Sequence, residues 1–290
     1  MPALARILLP IDFSGRCAGA ARYATVLAAR FGSQVTVLHV LPPPHYEFSA
    51  LEVGGSVLNE LFATRAAQTA QELENYLADE LAGLNVSRVL LEGDPARKIV
   101  AYAHDNGFDL ILMPTHGYGP FRRFILGSVA AKVLHDADCP VWTGVHMEET
   151  PASAALSLTS VVAAVDLGEQ SLKALQWAAW FAGSCGARLA IVHATPSLEA
   201  RGGEYFDPEW RKHLSAQAGE EIQKLQDRAG TQAEVLIDSG DAPMVVCSGA
   251  SRLQASVLVI GRGSAAGIFG RMRTNAYAII RQSGCPVVSV

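Results

Sequence analysis

The sequence predicts an α/β protein made of two tandem modules, each a doubly wound, five-stranded parallel sheet. Three observations predict this class: the chain repeats itself, short aliphatic runs alternate with helical patterns, and those runs are apolar throughout. Continuously apolar strands that are each followed by a helix are typical of a parallel sheet covered on both faces. The length of 290 residues also favours about two domains.

The repeat defines the domain organisation. The segment Pro10–Pro42 aligns without a gap with Ala164–Pro196, which places Asp12 on Asp166 and His39 on His193. Further matches join Gly93-Asp94 to Gly240-Asp241 and Cys139-Pro140-Val141 to Cys285-Pro286-Val287. We therefore expect a first module at 1–144, a linker of mainly polar and small residues at 145–157, and a second module at 158–290.

The elements of the first module alternate between strand and helix. The expected strands are Ala5–Ile11, Gln34–Leu41, Val86–Leu91, Asp109–Met113 and Pro140–Thr143. The expected helices are Arg16–Phe31, Leu51–Ala82, one that begins at Asp94-Pro95, and Gly127–His135. Gly32 provides a helix stop, and Pro95 fits the first turn of a helix. Ligands of such folds bind outside the carboxyl ends of the strands, where we expect Asp12, Val40 and the loop that begins at Pro114.

Composition and charge exclude several classes of protein. The net charge of −5 and the pI of about 5.9 argue against a general nucleic-acid binder, which usually needs a basic face. No uncharged apolar run approaches the roughly 18 residues of a membrane span, and Asp12 comes too early for the apolar core of a signal peptide. Five cysteines without a CxxC pair fit a reducing compartment. We expect a cytoplasmic protein that binds neither nucleic acid nor membrane.

The segment Met113–Val133 is the strongest candidate for a functional loop. It leaves a buried strand, passes through Gly117 and Gly119, and enters a helix at Gly127-Ser128. A helix N-terminus offers unpaired N–H groups and the positive end of the helix dipole, which suit an anion. Glycine-rich turns before helices also occur without any ligand, so phosphate binding is a hypothesis at this point. Neither a GxxxxGK[ST] loop nor a GxGxxG after the first strand is present, which argues against common ATPase and dehydrogenase chemistry.

Four segments together resemble the universal stress protein family: PIDFS, VLHV, GDPARKI and THGYGPFRRFILGSVAAKVLHDADCPV. The resemblance covers nearly the whole chain as a tandem pair. It implies the Rossmann-like, adenine nucleotide alpha hydrolase-like fold and a role in the stress response. Many members bind ATP through a G-x2-G-x9-G-[S/T] loop. The corresponding pattern here is Pro114-x2-Gly117-x9-Gly127-Ser128, in which Pro114 replaces the first glycine.

The resemblance also implies the roles of single residues. Asp12 and Val40 would touch adenine and ribose, and Pro10 and Met113 would line the base pocket. The phosphates would be held by Gly117, Gly127, Ser128 and the N–H of Val129, and Pro114 lacks the N–H of the glycine it replaces. The implied ligand is ATP, with or without Mg²⁺.

The second module departs further from the pattern. Ser264 and Arg273 stand where two glycines are expected, and the intervening stretch is shorter by one residue. We expect this second site to be degenerate. Arg262, Arg271 and Arg273 could bind an anion directly, but three solvated arginines on a loop are the simpler interpretation.

Several other residues invite a functional role but are better explained structurally. His39 and His193 lack neighbours at metal-ligand spacing, so we interpret both as structural histidines. Capping of the following helix is a strong alternative to a catalytic role for Asp166. Cys139 and Cys285 are interpreted as buried packing residues. Three aromatic residues at helical spacing are expected in the core or between the modules: Trp177, Trp180 and Phe181.

The sequence leaves two main classes of function open, and a third class also remains compatible with it. The first is an ATP-binding regulator with little or no turnover. The second is a slow nucleotide hydrolase or an adenylyl-transfer relative, although the SGGxDS and HIGH motifs of such transferases are absent. The third is an interaction protein that binds no nucleotide. The resemblance further implies a homodimer formed through the strands that end each module, Pro140–Thr143 and Pro286–Val290, although the two modules could satisfy part of this pairing within one chain.

Overall fold

The computed structural model of the chain describes residues 4–43, 55–115, 126–145, 147, 150–196, 208–262 and 271–290. The strands are β1 (Arg6–Ile11), β2 (Gln34–Leu41), β3 (Val86–Glu92), β4 (Leu110–Leu112), β5 (Val141–Thr143), β6 (Ser160–Ala164), β7 (Arg188–Thr195), β8 (Glu234–Ser239), β9 (Val257–Ile260) and β10 (Val287–Ser289). The helices are α1 (Arg16–Phe31), α2 (Gly55–Asn75), α3 (Pro95–Asp105), α4 (Ser128–Asp136), α5 (Ser171–Cys185), α6 (Pro208–Ala229), α7 (Ala242–Arg252) and α8 (Arg271–Gln282). This order confirms the predicted repetition of one α/β module.

The second helix of the first module ends earlier than the sequence predicts. The expected helix runs to Ala82, whereas α2 ends at Asn75 and turns follow. Leu77 adopts a left-handed conformation with φ of 58°, which a continuing α-helix does not allow. The Arg88 guanidinium, on the neighbouring strand β3, donates to the carbonyl oxygens of Leu73 and Tyr76 at 2.9 and 3.3 Å. These contacts satisfy carbonyls that the end of a helix leaves without partners.

All ten strands belong to one sheet in the order β3-β2-β1-β4-β5-β10-β9-β6-β7-β8. Within each module the neighbouring strands are parallel. In the first module the chain moves outward from β1 to β3 and then returns to the other side of β1 for β4. Two apolar clusters lie on opposite faces of the sheet, one under α1, α2, α5 and α6 and the other under α3, α4, α7 and α8. The sheet is therefore doubly wound, and its switch point in the first module lies between β1 and β4.

The modules join through their last strands. Strand β5 pairs antiparallel with β10, and Trp142 faces Val288 at the centre of the register. On one face of this junction Phe181 contacts Trp142 and Phe31, with ring centroids 5.7 and 5.9 Å apart. This contact confirms the expected position of Phe181 between the modules. The strands that were expected to offer a dimer edge are thus already paired within the chain, and the outer strands of the sheet are β3 and β8.

The connection between the modules packs on the first helix. Met147 and Thr150 are buried, and the Arg22 guanidinium donates to the Thr150 carbonyl at 2.5 Å. A side chain on Gly19 of α1 would collide with the Met147 carbonyl, because an added Cβ would lie 1.6 Å from its oxygen. The described part of the linker is therefore seated against α1.

Candidate functional site

A cleft of about 350 Å³ opens at the carboxyl ends of β1, β2 and β4 in the first module. Eight of the nine site residues that the sequence suggests line it: Pro10, Asp12, Val40, Met113, Pro114, Gly127, Ser128 and Val129. The ninth, Gly117, lies outside the described residues. The volume is in the range of small-molecule sites in proteins.

One end of the cleft is formed by the N-terminus of α4. Gly127 is the N-cap of this helix and, as a glycine, offers no side-chain acceptor to the N–H groups of its first turn. Helix α3, which also reaches the cleft through Pro95, differs because the Asp94 carboxylate accepts from the Arg97 N–H at 2.8 Å. The first N–H groups of an α-helix have no partner within the helix. Those of Ser128, Val129 and Ala130 are therefore available to an anion at this end of the cleft.

The loop before α4 is closed at its base. The Gly127 N–H donates to the Thr115 carbonyl at 2.9 Å, and Thr115 itself is buried. This bond joins the two ends of the segment 116–125, which lies outside the described residues. The helix N-terminus and the end of β4 are consequently held next to each other. Pro114 precedes Thr115 and contributes an apolar wall to the cleft.

Asp12 follows β1 and places a carboxylate at the cleft. Its Oδ1 atom accepts hydrogen bonds from the Ser14 N–H at 3.0 Å and from the Cys17 thiol at 3.2 Å. These bonds fix the turn into α1, in which Phe13 adopts a left-handed conformation with φ of 61°. Among the described residues, no hydrogen bond is made to the second oxygen, Oδ2, so Asp12 holds the turn through one oxygen and can offer the other to a ligand.

His39 also lines the cleft, and the sequence analysis did not count it as a site residue. Its Nδ1 atom lies 2.9 Å from the Ile11 carbonyl oxygen. A carbonyl oxygen only accepts, so Nδ1 carries the proton and donates. His193 makes the same contact with the Val165 carbonyl at 2.8 Å. Each ring therefore connects the second strand of its module to the end of the first, as the structural interpretation of both histidines predicts.

The apolar wall of the cleft includes residues that the sequence analysis passed over. The most informative are Pro95 and Ile99, which belong to the first two turns of α3. The Asp94-Pro95 helix start at the carboxyl end of a strand was the available signal, because such ends meet at one edge of the sheet. Lys132 of α4 lies 3.5 Å from the Asp94 carboxylate, which links the two helices that flank the cleft.

The second module has a smaller cleft of about 140 Å³ at the equivalent place. Asp166 occupies the position of Asp12, and its Oδ1 accepts from the Gly168 N–H at 2.9 Å and the Ser171 hydroxyl at 2.7 Å. Helix α8 already begins at Arg271, whereas Thr274 is the counterpart of the first α4 residue, Ser128. The N–H groups that correspond to those of Val129 and Ala130 are consequently used inside α8.

Arg262 corrects the expectation of solvated arginines. Its guanidinium is partly buried and donates to the carbonyl oxygens of Ala137 and Cys139 in the first module, the latter at 2.7 Å. Burial lowers the pKa of this guanidinium. The side chains of Arg271 and Arg273 lie outside the described part of the chain.

The cysteines behave as packing residues. Burial raises the pKa of Cys139 to about 11 and also raises the pKa of Cys285. A reactive cysteine needs the opposite shift, because the thiolate is the nucleophile. Both observations agree with the packing role that the sequence suggests.

None of the described helices is both long and apolar enough to cross a membrane. Within the same residues, no group of three or more His, Cys, Asp or Glu side chains could hold a metal ion.

Comparison with known proteins agrees with the repeat. The universal stress protein family matches residues 4–143 and again 158–290. A universal stress protein of Methanocaldococcus jannaschii is 31% identical over 136 residues, which are 47% of this chain and 79% of that protein. One from Thermus aquaticus is 34% identical over 140 residues, which are 47% of this chain and 94% of that protein.

A solved structure has the same fold over the whole length. The crystal structure of a universal stress protein from Archaeoglobus fulgidus matches 99% of this chain and 96% of its own, with a TM-score of 0.68 and 21% identity. At this identity the likeness concerns the fold alone. The family match covers both modules, and the chain therefore belongs to the universal stress protein family as a tandem member.

Proposed function

We propose that this protein is an ATP-binding regulator in the stress response, with its nucleotide site in the first module and little or no turnover. The observation that carries the proposal is the N-terminus of α4, whose N-cap residue Gly127 offers no side-chain acceptor and which lines a largely apolar cleft. Apolar walls suit an adenine ring, and free N–H groups at a helix N-terminus suit phosphate. Both features belong to one cleft, as a nucleotide requires.

Each site residue has a role in this proposal. Pro10 and Met113 line the base pocket, and Asp12 and Val40 touch adenine and ribose. The phosphates are held by Gly117, Gly127, Ser128 and the Val129 N–H, and Pro114 contributes its ring but no donor. Mg²⁺ would accompany the triphosphate and be held mainly by phosphate oxygens.

The proposal also covers organisation and location. The module boundaries would be 1–144 and 158–290, joined by the linker 145–157. The protein would act in the cytoplasm without contact to nucleic acid. A homodimer of tandem chains would need a surface other than β5 and β10, because these strands pair with each other. ATP can regulate assembly or partner binding only if its affinity differs between two states of the protein.

Nucleotide retention tests the proposal directly. The chain is purified without added nucleotide, and the bound small molecules are identified by mass spectrometry. ATP is then titrated by calorimetry and followed over hours for conversion to ADP. Retained ATP, or saturable binding without conversion, supports the regulator. Rapid formation of ADP indicates the hydrolase instead, and no binding in either assay indicates an interaction protein without a nucleotide site.

A further inference from the structure

Helix α4 is held at both ends by different parts of the molecule. Its N-terminus lies at the cleft, next to β4, through the bond between Gly127 and Thr115. Its C-terminal end, at the C-cap residue Ala137, is contacted by the guanidinium of Arg262 from the second module. The helix has nine residues, so about 13 Å separates its ends.

Arg262 makes a two-pronged contact with this end of α4. One guanidinium nitrogen donates to the Ala137 carbonyl and the other to the Cys139 carbonyl at 2.7 Å. The Arg262 backbone is anchored in its own module, since its N–H donates to the Val290 carbonyl at 2.9 Å. A cation at a helix C-terminus is also favourable for the helix dipole.

A second residue of the second module contacts the same helix. The Tyr277 hydroxyl of α8 donates to the Ala131 carbonyl in the middle of α4 at 3.2 Å. Two polar contacts from the second module therefore reach α4, one at its centre and one at its C-terminal end. Contacts at two points along a helix of only nine residues restrict its tilt, so its N-terminus can move little relative to the second module.

Among the described residues, no side chain of the first module makes an equivalent two-pronged contact with the second module. Thr115 stands at the equivalent position of the first module, and its hydroxyl lies within 3.5 Å of the Gly144 carbonyl of its own module. A threonine hydroxyl is one short donor, whereas arginine presents a rigid fork. The second module, whose helix α8 begins three residues earlier than the repeat predicts, thus contacts helix α4 of the first module at two points.

We propose that Arg262 is a positioning residue for the first module's cleft, which holds α4 so that its N-terminal amides are set for phosphate. The proposal rests on the proposed ATP site. It gives the second module a role that does not require a ligand of its own. The contribution of Arg262 acts on the phosphate end of the cleft and leaves the base pocket, which Pro10 and Met113 line, unaffected.

The test compares variants of the full-length chain in their binding of ATP and of adenosine by calorimetry. Arg262→Thr imports the residue of the first module, and Arg262→Lys keeps the charge without the fork. Arg188→Thr is the matched control, because the Arg188 guanidinium donates to the Leu253 carbonyl at the C-terminal end of α7, at 2.6 Å, inside the second module. Hydrogen exchange of the α4 amides is measured for each variant without ligand.

We expect Arg262→Thr to weaken ATP binding about fivefold or more, with adenosine affinity unchanged and faster exchange in α4. Arg262→Lys should fall between Arg262→Thr and the wild type, and Arg188→Thr should bind ATP like the wild type. Unchanged ATP affinity in folded Arg262→Thr would overturn the proposal. Equal losses for ATP and adenosine, or an equal loss in Arg188→Thr, would also overturn it by indicating general destabilisation.

Failure of the proposed function can be told apart from failure of this inference. If the wild type binds no ATP, the nucleotide site is wrong and the phosphate-positioning role falls with it. Hydrogen exchange then still decides whether Arg262 holds α4. Unchanged exchange of the α4 amides in Arg262→Thr would show that it does not. If the wild type binds ATP and only the variants fail to differ, the inference alone is wrong.

Discussion

The two clefts share their base end and differ at their anion end. In both, an aspartate fixes the turn after the first strand. In both, a histidine of the second strand donates to a backbone carbonyl at the end of the first strand. The difference is the start of the following helix: α4 begins at Ser128, but α8 begins at Arg271, three residues before the counterpart of Ser128. The cleft volumes are about 350 and 140 Å³.

This comparison identifies which part of the repeated fold carries the proposed ligand chemistry. The strand ends and their aspartates are retained in both modules, so they also serve the fold. An earlier helix start moves the unpaired N–H groups along the chain by about one turn, and the amides beside the cleft then bond within the helix. A change of three residues in a helix boundary therefore changes which amides are left unpaired beside the cleft without changing the topology.

The largest expected effect comes from closing the anion end of the first cleft. Gly127→Asp places an N-cap carboxylate where α4 has none, which should stabilise the helix slightly because aspartate is a favoured N-cap. The same carboxylate would occupy the amides and repel phosphate. Losing two charge-assisted hydrogen bonds at about 1.5–3 kcal/mol each weakens ATP binding by about a hundredfold or more.

Calorimetry with ATP and adenosine, together with thermal unfolding, checks this prediction. Adenosine binding is the internal control, because it depends on the base end alone. The mirror variant Arg273→Gly should not create an ATP site in the second module, since α8 starts before that residue. ATP affinity that survives Gly127→Asp would mean that α4 is not the phosphate end.

An intermediate effect separates the two aspartates. Asp12→Ala and Asp166→Ala should each lower the free energy of unfolding by about 1 kcal/mol, because each removes the side-chain acceptor of its turn. Only Asp12→Ala should also weaken ATP binding, by about tenfold, since a charged partner is lost. Chemical denaturation and calorimetry on both variants measure the two effects separately. Similar ATP affinities for the two variants would argue against a ligand contact by Asp12.

The smallest effect at pH 7 concerns Cys17, whose thiol donates to the carboxylate of Asp12. Burial and then the charge of Asp12 raise the pKa of the Cys17 thiol to about 11, from an ordinary value of 9.0. The folded protein therefore keeps a proton that the unfolded chain loses, so this contribution is complete below pH 9 and disappears as the pH rises towards 11. Ser171 makes the equivalent contact in the second module with a hydroxyl.

Cys17→Ser should accordingly leave stability at pH 7 nearly unchanged and make its decline between pH 9 and 11 shallower. One proton corresponds to a slope of about 1.4 kcal/mol per pH unit. Denaturation curves at several pH values check this, with Cys247→Ser as a comparison, because burial raises the pKa of that thiol to about 11 as well. An identical slope in wild type and Cys17→Ser would contradict the assignment.

Local signals in the sequence predict much of the first module correctly. Helix α1 and strand β2 have the predicted bounds, Arg16–Phe31 and Gln34–Leu41. Their ends are marked by residues with strong conformational preferences. Gly32 adopts φ of 68° at the helix C-cap, and prolines follow the strand. The prediction that the second helix runs to Ala82 is wrong because the end of this helix depends on a distant residue, Arg88 of strand β3, and not on a local signal.

The cleft was predictable because its residues follow strand ends. In a parallel sheet those ends lie at one edge, so a pattern along the chain places Asp12, Val40 and Pro114 together. The start of α8 was not predictable in this way. Arginine and methionine are good helix formers, so Arg271 and Met272 are compatible with a helix. The repeat, however, predicts a helix start at the counterpart of Gly127-Ser128 and gives no reason to extend the helix back to Arg271.

The amino-acid sequence by itself determined the repeated α/β module, the order of its elements and the residues at the edge where a ligand can bind, because hydrophobic pattern, glycines and prolines act over short distances. Only the tertiary structure decided that β5 pairs with β10 and that Arg262 reaches Ala137. Both contacts join residues more than a hundred positions apart, and the side chain of Arg262 is partly buried because the pairing of β5 with β10 brings carbonyls of the other module within its reach. No local pattern encodes such a partner.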